Sequence, residues 1–236
     1  MKNQAFILIC FLAFTFIETT KAQDILLISS SSDAQSDTRQ ALWLNGSSFE
    51  IAGPQELNRM DFNLYEYKVI IVCDNWDAAL SDAIVEHRIG LESFARRGGV
   101  VVYLFSGNPT YEQLYRKTWQ ALSLQLKRVS SSAEDPEIGV INPDQSAHRL
   151  AQRFANNYLG MFTHYGFENP NETWQTIAYT ESSKVPIMLE SDIGRGKIIA
   201  VSILHLTEYF QRKYHYYAMF RNIINYSLDN TYTRER

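Results

Sequence analysis

The stretch from Tyr67 to Phe105 constrains this chain more than any other. It opens with "YKVIIVCD", Tyr67 to Asp74, which is β-branched through its middle and suits a buried strand. A helical pattern follows over Ser81–Arg97, where Ile84, Arg88, Leu91 and Phe94 or Ala95 recur at helical spacing. Ser81 is placed to cap that helix and Asp82 to favour its positive end. Arg96 and Arg97 complement the negative end, and Gly98 supplies a left-handed stop. Only Gly90 opposes it, at about 1 kcal/mol relative to Ala. Then comes "GGVVVYLFSGN", Gly98 to Asn108, whose branched apolar run breaks at Ser106-Gly107-Asn108. Strand, helix and strand with short links make a βαβ crossover, so the sheet is parallel here.

The flanking sequence extends the same architecture. Asp24–Ser29 is a short apolar run suited to a buried parallel strand, and Ser30–Asp33 stop it. Asp33–Leu44 reads as a short helix and Ser48–Ala52 as a weaker strand. After Asn108, Thr110 and Gln113 make a capping-box pair ahead of Tyr111, Leu114, Tyr115, Thr118 and Leu122. A further helix is expected from Asp144 through Ala147, Leu150, Ala151, Phe154 and Tyr158, stopped by Gly160. Trp174–Thr180 and Val185–Glu190 read as strands. The turn Ser191–Gly196 leads to the most apolar strand of the second half, Lys197–His205, and an amphipathic helix carries Phe210 to Leu228. The expected fold is α/β, a doubly wound, mostly parallel flavodoxin-like sheet with helices on both faces and an antiparallel edge hairpin.

The ends lie outside that domain. Lys2, the apolar run Ala5–Ile17 and the small residue at Ala22 form the pattern of a signal peptide over residues 1–22. Export to a secreted or periplasmic location is therefore expected. The run falls short of the roughly 20 residues a membrane span needs, so no stable span is expected in the mature chain. Residues 23–228 form the single domain, and Asp229–Arg236 reads as a frayed tail. Lys and Arg number 22 against 26 Asp and Glu, a net charge of −4 with no basic block. That argues against nucleic acid as a partner. Cys10 departs with the leader and leaves Cys73 as the lone thiol, which excludes a disulfide scaffold.

Three segments carry a family resemblance: "YKVIIVCDNWDAAL", the helix running into "FARRGGVVVYLFSGN", and "SDIGRGKIIAVSILH" before a last helix. In element order and in these segments the chain resembles the class I glutamine amidotransferase-like superfamily, nearest to its ThuA-like and secreted relatives. The resemblance implies a Cys on a sharp turn after the strand that follows the long helix, and a His with a nearby Glu after a late strand. Here Phe105 stands at the elbow position, with Tyr103 and Leu104 where small residues are implied. His205 matches the late His, and Glu208 falls one residue later than the family spacing. A retained scaffold without amidotransferase chemistry is the reading this leaves.

The candidate sites follow from the strand ends, where doubly wound sheets collect ligands. Asp74, Asn75 and Trp76 leave one such end: the indole suits a flat ligand or sugar face, and the two polar side chains suit its hydroxyls. As turn formers and a packing aromatic they also need no ligand. Ser106, Asn108 and His205 join them as candidate ligand contacts. A serine hydrolase of Ser106, His205 and Glu208 is the enzymatic alternative, but Leu104-Phe105-Ser106-Gly107 lacks the leading glycine of a nucleophile elbow, and a plain turn explains Ser106–Asn108. Cys73 lies inside an apolar strand with no basic neighbour, as core cysteines do. Gly194-Arg-Gly-Lys197 lacks phosphate-loop spacing and joins two strands. His87, His148, His164, His205 and His215 are scattered, so no metal and no cofactor are expected. Tyr209, Phe210, Tyr214, Tyr216, Tyr217 and Phe220 encircle the last helix; one face is core, and the surplus suits an interaction surface. The expected partner is a small molecule, carbohydrate or protein at the strand-end rim.

Overall fold

The computed structural model describes residues 24–29, 37–59, 62–73, 78–106, 112–130, 135–152, 158–203 and 213–231. The elements in chain order are β1 (Ile25–Ser29), α1 (Asp37–Leu44), β2 (Phe49–Ala52), α2 (Pro54–Leu57), β3 (Val69–Cys73), α3 (Ala78–Glu86), α4 (Arg88–Arg96), β4 (Val100–Ser106) and α5 (Glu112–Ala121). The second half contributes β5 (Gln125–Arg128), β6 (Glu137–Ile141), β7 (Tyr158–Thr163), β8 (Tyr165–Glu168), β9 (Gln175–Thr180), β10 (Pro186–Ile193), β11 (Gly196–Ile203) and α6 (Lys213–Asp229). Among the described residues the main sheet has nine strands in the order β2-β1-β3-β4-β11-β10-β9-β6-β7, and β5 and β8 form a second, two-stranded sheet.

From β2 to β11 every neighbouring pair is parallel. The interior strands are those expected from their branched runs. All five residues of β1 and of β3 are buried, because a parallel sheet with helices on both faces leaves no wet side. Alternate residues serve opposite faces. Ile25, Leu27, Ile71 and Val102 pack toward α1 and α6, while Leu26, Ile70 and Val101 pack toward α3, α4 and Trp119 of α5. The antiparallel edge is wider than one hairpin: β10, β9, β6 and β7 all pair antiparallel.

Two helical expectations are corrected. The long helix starts at Ala78, so Ser81 lies inside it, fully buried, and is not its cap. It also breaks at His87, although the His87 amide still donates to Ala83 O at 2.9 Å and the Leu91 amide to His87 O at 3.0 Å. Among the described residues the helix expected from Asp144 toward Tyr158 is not formed. Pro143–Gln145 and Arg149–Ala151 are single 3₁₀ turns, and Tyr158 begins β7, which pairs with β6. The Asn142 and His148 side chains accept from the amides of Asp144 and Leu150, closing these turns locally in place of a continuous helix. Gly98 adopts the left-handed backbone expected of it, with φ 109°. Gly194, at φ 61° in the β10–β11 turn, has a second constraint: a Cβ there would lie 2.5 Å from Arg96 O.

Candidate functional site

The parallel strands all end at one edge of the sheet. Ser29 pairs with Cys73, Cys73 with Leu104, and Ser106 with Ile203, so the carboxyl ends of β1, β3, β4 and β11 are in register. Each candidate segment follows one of these ends in the chain. Ser30–Asp33, Asp74, Asn75, Trp76, Asn108, His205 and Glu208, with the side chain of Ser106, lie outside the described residues. The described ends still constrain chemistry there. The β4–β11 ladder runs unbroken through Phe105, opposite Ser202, and Ser106, opposite Ile203. The backbone at the elbow position is thus regular strand. Cys73 is fully buried in the core cluster that contains Leu27, Val102 and Leu104.

Beside the β11 end, a partly buried polar seam joins β8, α5 and the chain after β5. The Ser202 hydroxyl donates to Tyr165 O at 2.9 Å, which ties the β7–β8 corner to the strand end. The Tyr165 hydroxyl donates to Glu112 Oε2 at 2.7 Å, and Arg116 holds Glu112 Oε1 at 2.5 Å. Hydrogen bonding by Tyr165, and then by Arg116, keeps the Glu112 carboxyl below its ordinary range against the opposing pull of burial. Burial and the Glu112 carboxylate push the Tyr165 phenol up to about 12. Next to them Ser130 Oγ and His164 Nδ1 lie 2.7 Å apart, both residues buried. Which of the two atoms donates is set by the imidazole tautomer. The seam holds the corner of the rim, and its Ser–His pair is closed to solvent. Sequence reasoning passed over it, counting His164 as one of several scattered histidines.

A second cluster lies at the opposite end of the sheet. Lys197, which pairs with Val100 at the start of β4, donates to Glu190 Oε1 at 2.8 Å and Asp192 Oδ1 at 2.5 Å. The Tyr226 hydroxyl donates to the same Glu190 oxygen at 3.0 Å, and His148 Nε2 stands 3.6 Å from it. Burial acts to raise the Glu190 carboxyl, but His148, Lys197 and Tyr226 outweigh it and hold the group below its ordinary range. Among the described residues no group of three or more His, Cys, Asp or Glu side chains is placed to hold a metal ion. No helix among them is long and apolar enough to cross a membrane.

No protein-family model and no curated protein matches the chain in sequence. Solved structures do match in shape. A cytoplasmic protein from Salmonella typhimurium LT2 superposes with a TM-score of 0.60 at 11% identity, over 86% of this chain and 98% of that one. A glutamine amidotransferase from Thermotoga maritima matches with a TM-score of 0.56 at 9% identity, over 88% of this chain and 99% of that one. The fold resembles glutamine amidotransferase-like domains. An exo-β-1,4-mannosidase from Opitutaceae bacterium strain TAV5 also matches, with a TM-score of 0.51 at 12% identity, over 88% of this chain and only 36% of that one. The amidotransferase-like fold thus occurs there as part of a longer chain. At these identities the likeness is one of fold alone, and it agrees with the strand-end geometry above.

Proposed function

We propose that this chain is an exported amidotransferase-like domain that has lost the amidotransferase nucleophile and binds a ligand at its carboxyl-end rim. One observation carries the reading. The β4 ladder continues through Phe105 and Ser106, while Cys73, the only thiol beyond the leader, is buried on the neighbouring strand. Glutamine hydrolysis in this fold needs an activated thiolate on a turn, and an unactivated hydroxyl is a far weaker nucleophile at neutral pH. The rim comprises Ser30–Asp33, Asp74–Trp76, Ser106–Asn108, His205 and Glu208. Trp76, preceded by Asp74 and Asn75, supplies an aromatic face with hydrogen-bonding neighbours, a combination suited to a sugar ring. The mannosidase with a region of this fold makes β-mannosides the class to try first.

Two measurements test this. Purified protein should release no ammonia from glutamine above background, and Phe105→Cys alone should not create activity. Mannobiose and longer manno-oligosaccharides should raise the melting temperature, and Trp76→Ala or His205→Ala should remove the rise. Ammonia release abolished by Ser106→Ala would replace this reading with the Ser106–His205–Glu208 hydrolase. The absence of any shift with the sugars would remove the glycan assignment.

A further inference from the structure

The tyrosine-rich last helix has a feature that the rim does not use. On the face of the sheet covered by α1 and α6, the two helices leave a groove of about 130 Å³ lined by Ala41, Leu44, Asn45, Tyr217, Ala218 and Arg221. Ala41 and Ala218 are small, and the Tyr217 hydroxyl donates to Gln40 Oε1 at 3.1 Å, which fixes one wall. A cavity of about 150 Å³ takes a benzene ring, so this one suits a single Leu- or Phe-sized side chain. The apolar surface does not stop at the groove. Leu44, in its wall, is 60% exposed, and neighbouring Trp43 is 74% exposed, in a chain whose other large apolar residues are mostly buried.

Charge selects the occupant. Arg221 stands one turn beyond Tyr217 on α6, exposed at the groove, and no carboxylate among the described residues pairs with it. By contrast Arg96, Arg116 and Arg149 are each held by a carboxylate. Residues one helical turn apart sit about 5–6 Å from each other, so an occupant filling the groove beside Tyr217 brings its own next turn to Arg221. Trp, Tyr and Arg are also the residue types that dominate protein-interface energetics.

We propose that the α1–α6 groove docks an acidic amphipathic segment of a partner protein. One apolar side chain enters between Ala41 and Ala218, and a carboxylate about a turn away pairs with Arg221, in the helix-in-groove manner. None of the groove residues belongs to the proposed rim, so either assignment can fail without the other.

The probe is a random 15-residue peptide display library panned on the purified chain. Enriched peptides should carry an apolar residue three or four positions from Asp or Glu. Their affinity should fall at least tenfold for Leu44→Asp and for Arg221→Glu, and panning on the Arg221→Glu chain should enrich Lys or Arg in place of the acid. Both substituted residues are exposed, and melting temperatures equal to the parent's confirm intact folding. Failure to enrich any peptide would overturn the proposal, as would a consensus without acid or binding indifferent to both substitutions. Sedimentation showing a dimer dissolved by both substitutions would overturn it in favour of a second copy. Binding to anionic vesicles through the same residues would overturn it in favour of a membrane surface.

Discussion

The two sides of the main sheet are built on different principles. In the parallel half, β2-β1-β3-β4-β11, interior side chains are almost all aliphatic, and Ile25, Ile28, Val69 to Cys73 and Val100 to Val102 have no exposed surface. In the antiparallel flank and the small β5–β8 sheet, buried polar groups appear among the apolar ones: Glu190, Thr163, His164, Thr180 and Ser130. One half is held by burial, which is non-directional and indifferent to pH. The other depends on specific partners, because a buried polar group left unpaired is costly. The parallel half therefore presents a row of strand ends in register, and the flank beside it is held by hydrogen bonds that can be removed one at a time.

The largest expected effect tests the dry half. Ile71 is fully buried, paired with Leu27 on β1 and Val102 on β4. Ile71→Ala should destabilise the chain by about 2–5 kcal/mol through lost burial and a residual cavity, read from urea unfolding midpoints. The loss should be the same at pH 5 and pH 8. A smaller loss, or one that varies with pH, would mean that the two halves do not differ as described.

The next effect tests the flank. Lys197→Met removes a charged donor from Glu190, which is only 3% exposed. Losing a hydrogen bond to a charged group should destabilise by roughly 1.5–3 kcal/mol. Because the penalty comes from the carboxylate left behind, adding Glu190→Leu should recover much of it. If the double variant loses the sum of two independent penalties, the cluster is not a coupled unit.

A weaker, graded effect is expected on acidification. Glu190 and Glu112 are both held below the ordinary carboxyl value of 4.5 in the folded chain. The unfolded chain thus takes up protons first as the pH falls, and stability contributed by these groups is present above about pH 4.5 and lost below it as the folded values are passed. Wild-type stability should fall with pH in that window, and Glu190→Gln should flatten the fall. A parallel acid limb in the variant would place the sensitivity elsewhere.

The same division sets how far the sequence could be read. Runs such as Val69–Cys73 and Val100–Phe105 declare themselves as strands, because a buried parallel strand needs only branched apolar residues in succession. Their carboxyl ends follow directly. The flank does not declare itself. In β5 only Leu126 is buried, so Gln125–Arg128 has no strand signature. Ala147, Leu150 and Ala151 match a helical stripe, yet Asn142 and His148 side chains turn the backbone there. The polar clusters are less legible still, since their members meet only through tertiary structure. Ser130 and His164 are 34 residues apart, Glu190 and Tyr226 are 36, and Glu112 and Tyr165 are 53. No local spacing rule finds such pairs.

The smallest expected effect isolates burial from charge. Arg149 pairs with Asp229 at the end of α6, close to the Glu190 cluster, with the Arg149 guanidinium 6.0 Å from the Tyr226 ring. The chemistry matches that of Lys197 with Glu190, but both side chains are 54% exposed. Water screens such a pair and side-chain ordering offsets its attraction, so exposed pairs contribute about 0–1 kcal/mol. Asp229→Asn should therefore shift the urea midpoint by no more than about 0.5 kcal/mol in free energy, and less in 0.5 M salt. A loss approaching that of Lys197→Met would mean that the ion pair itself, rather than removal of a donor from a buried carboxylate, stabilises this end of the molecule. The distinction between a flank held by buried partners and one held by surface charge would then fail.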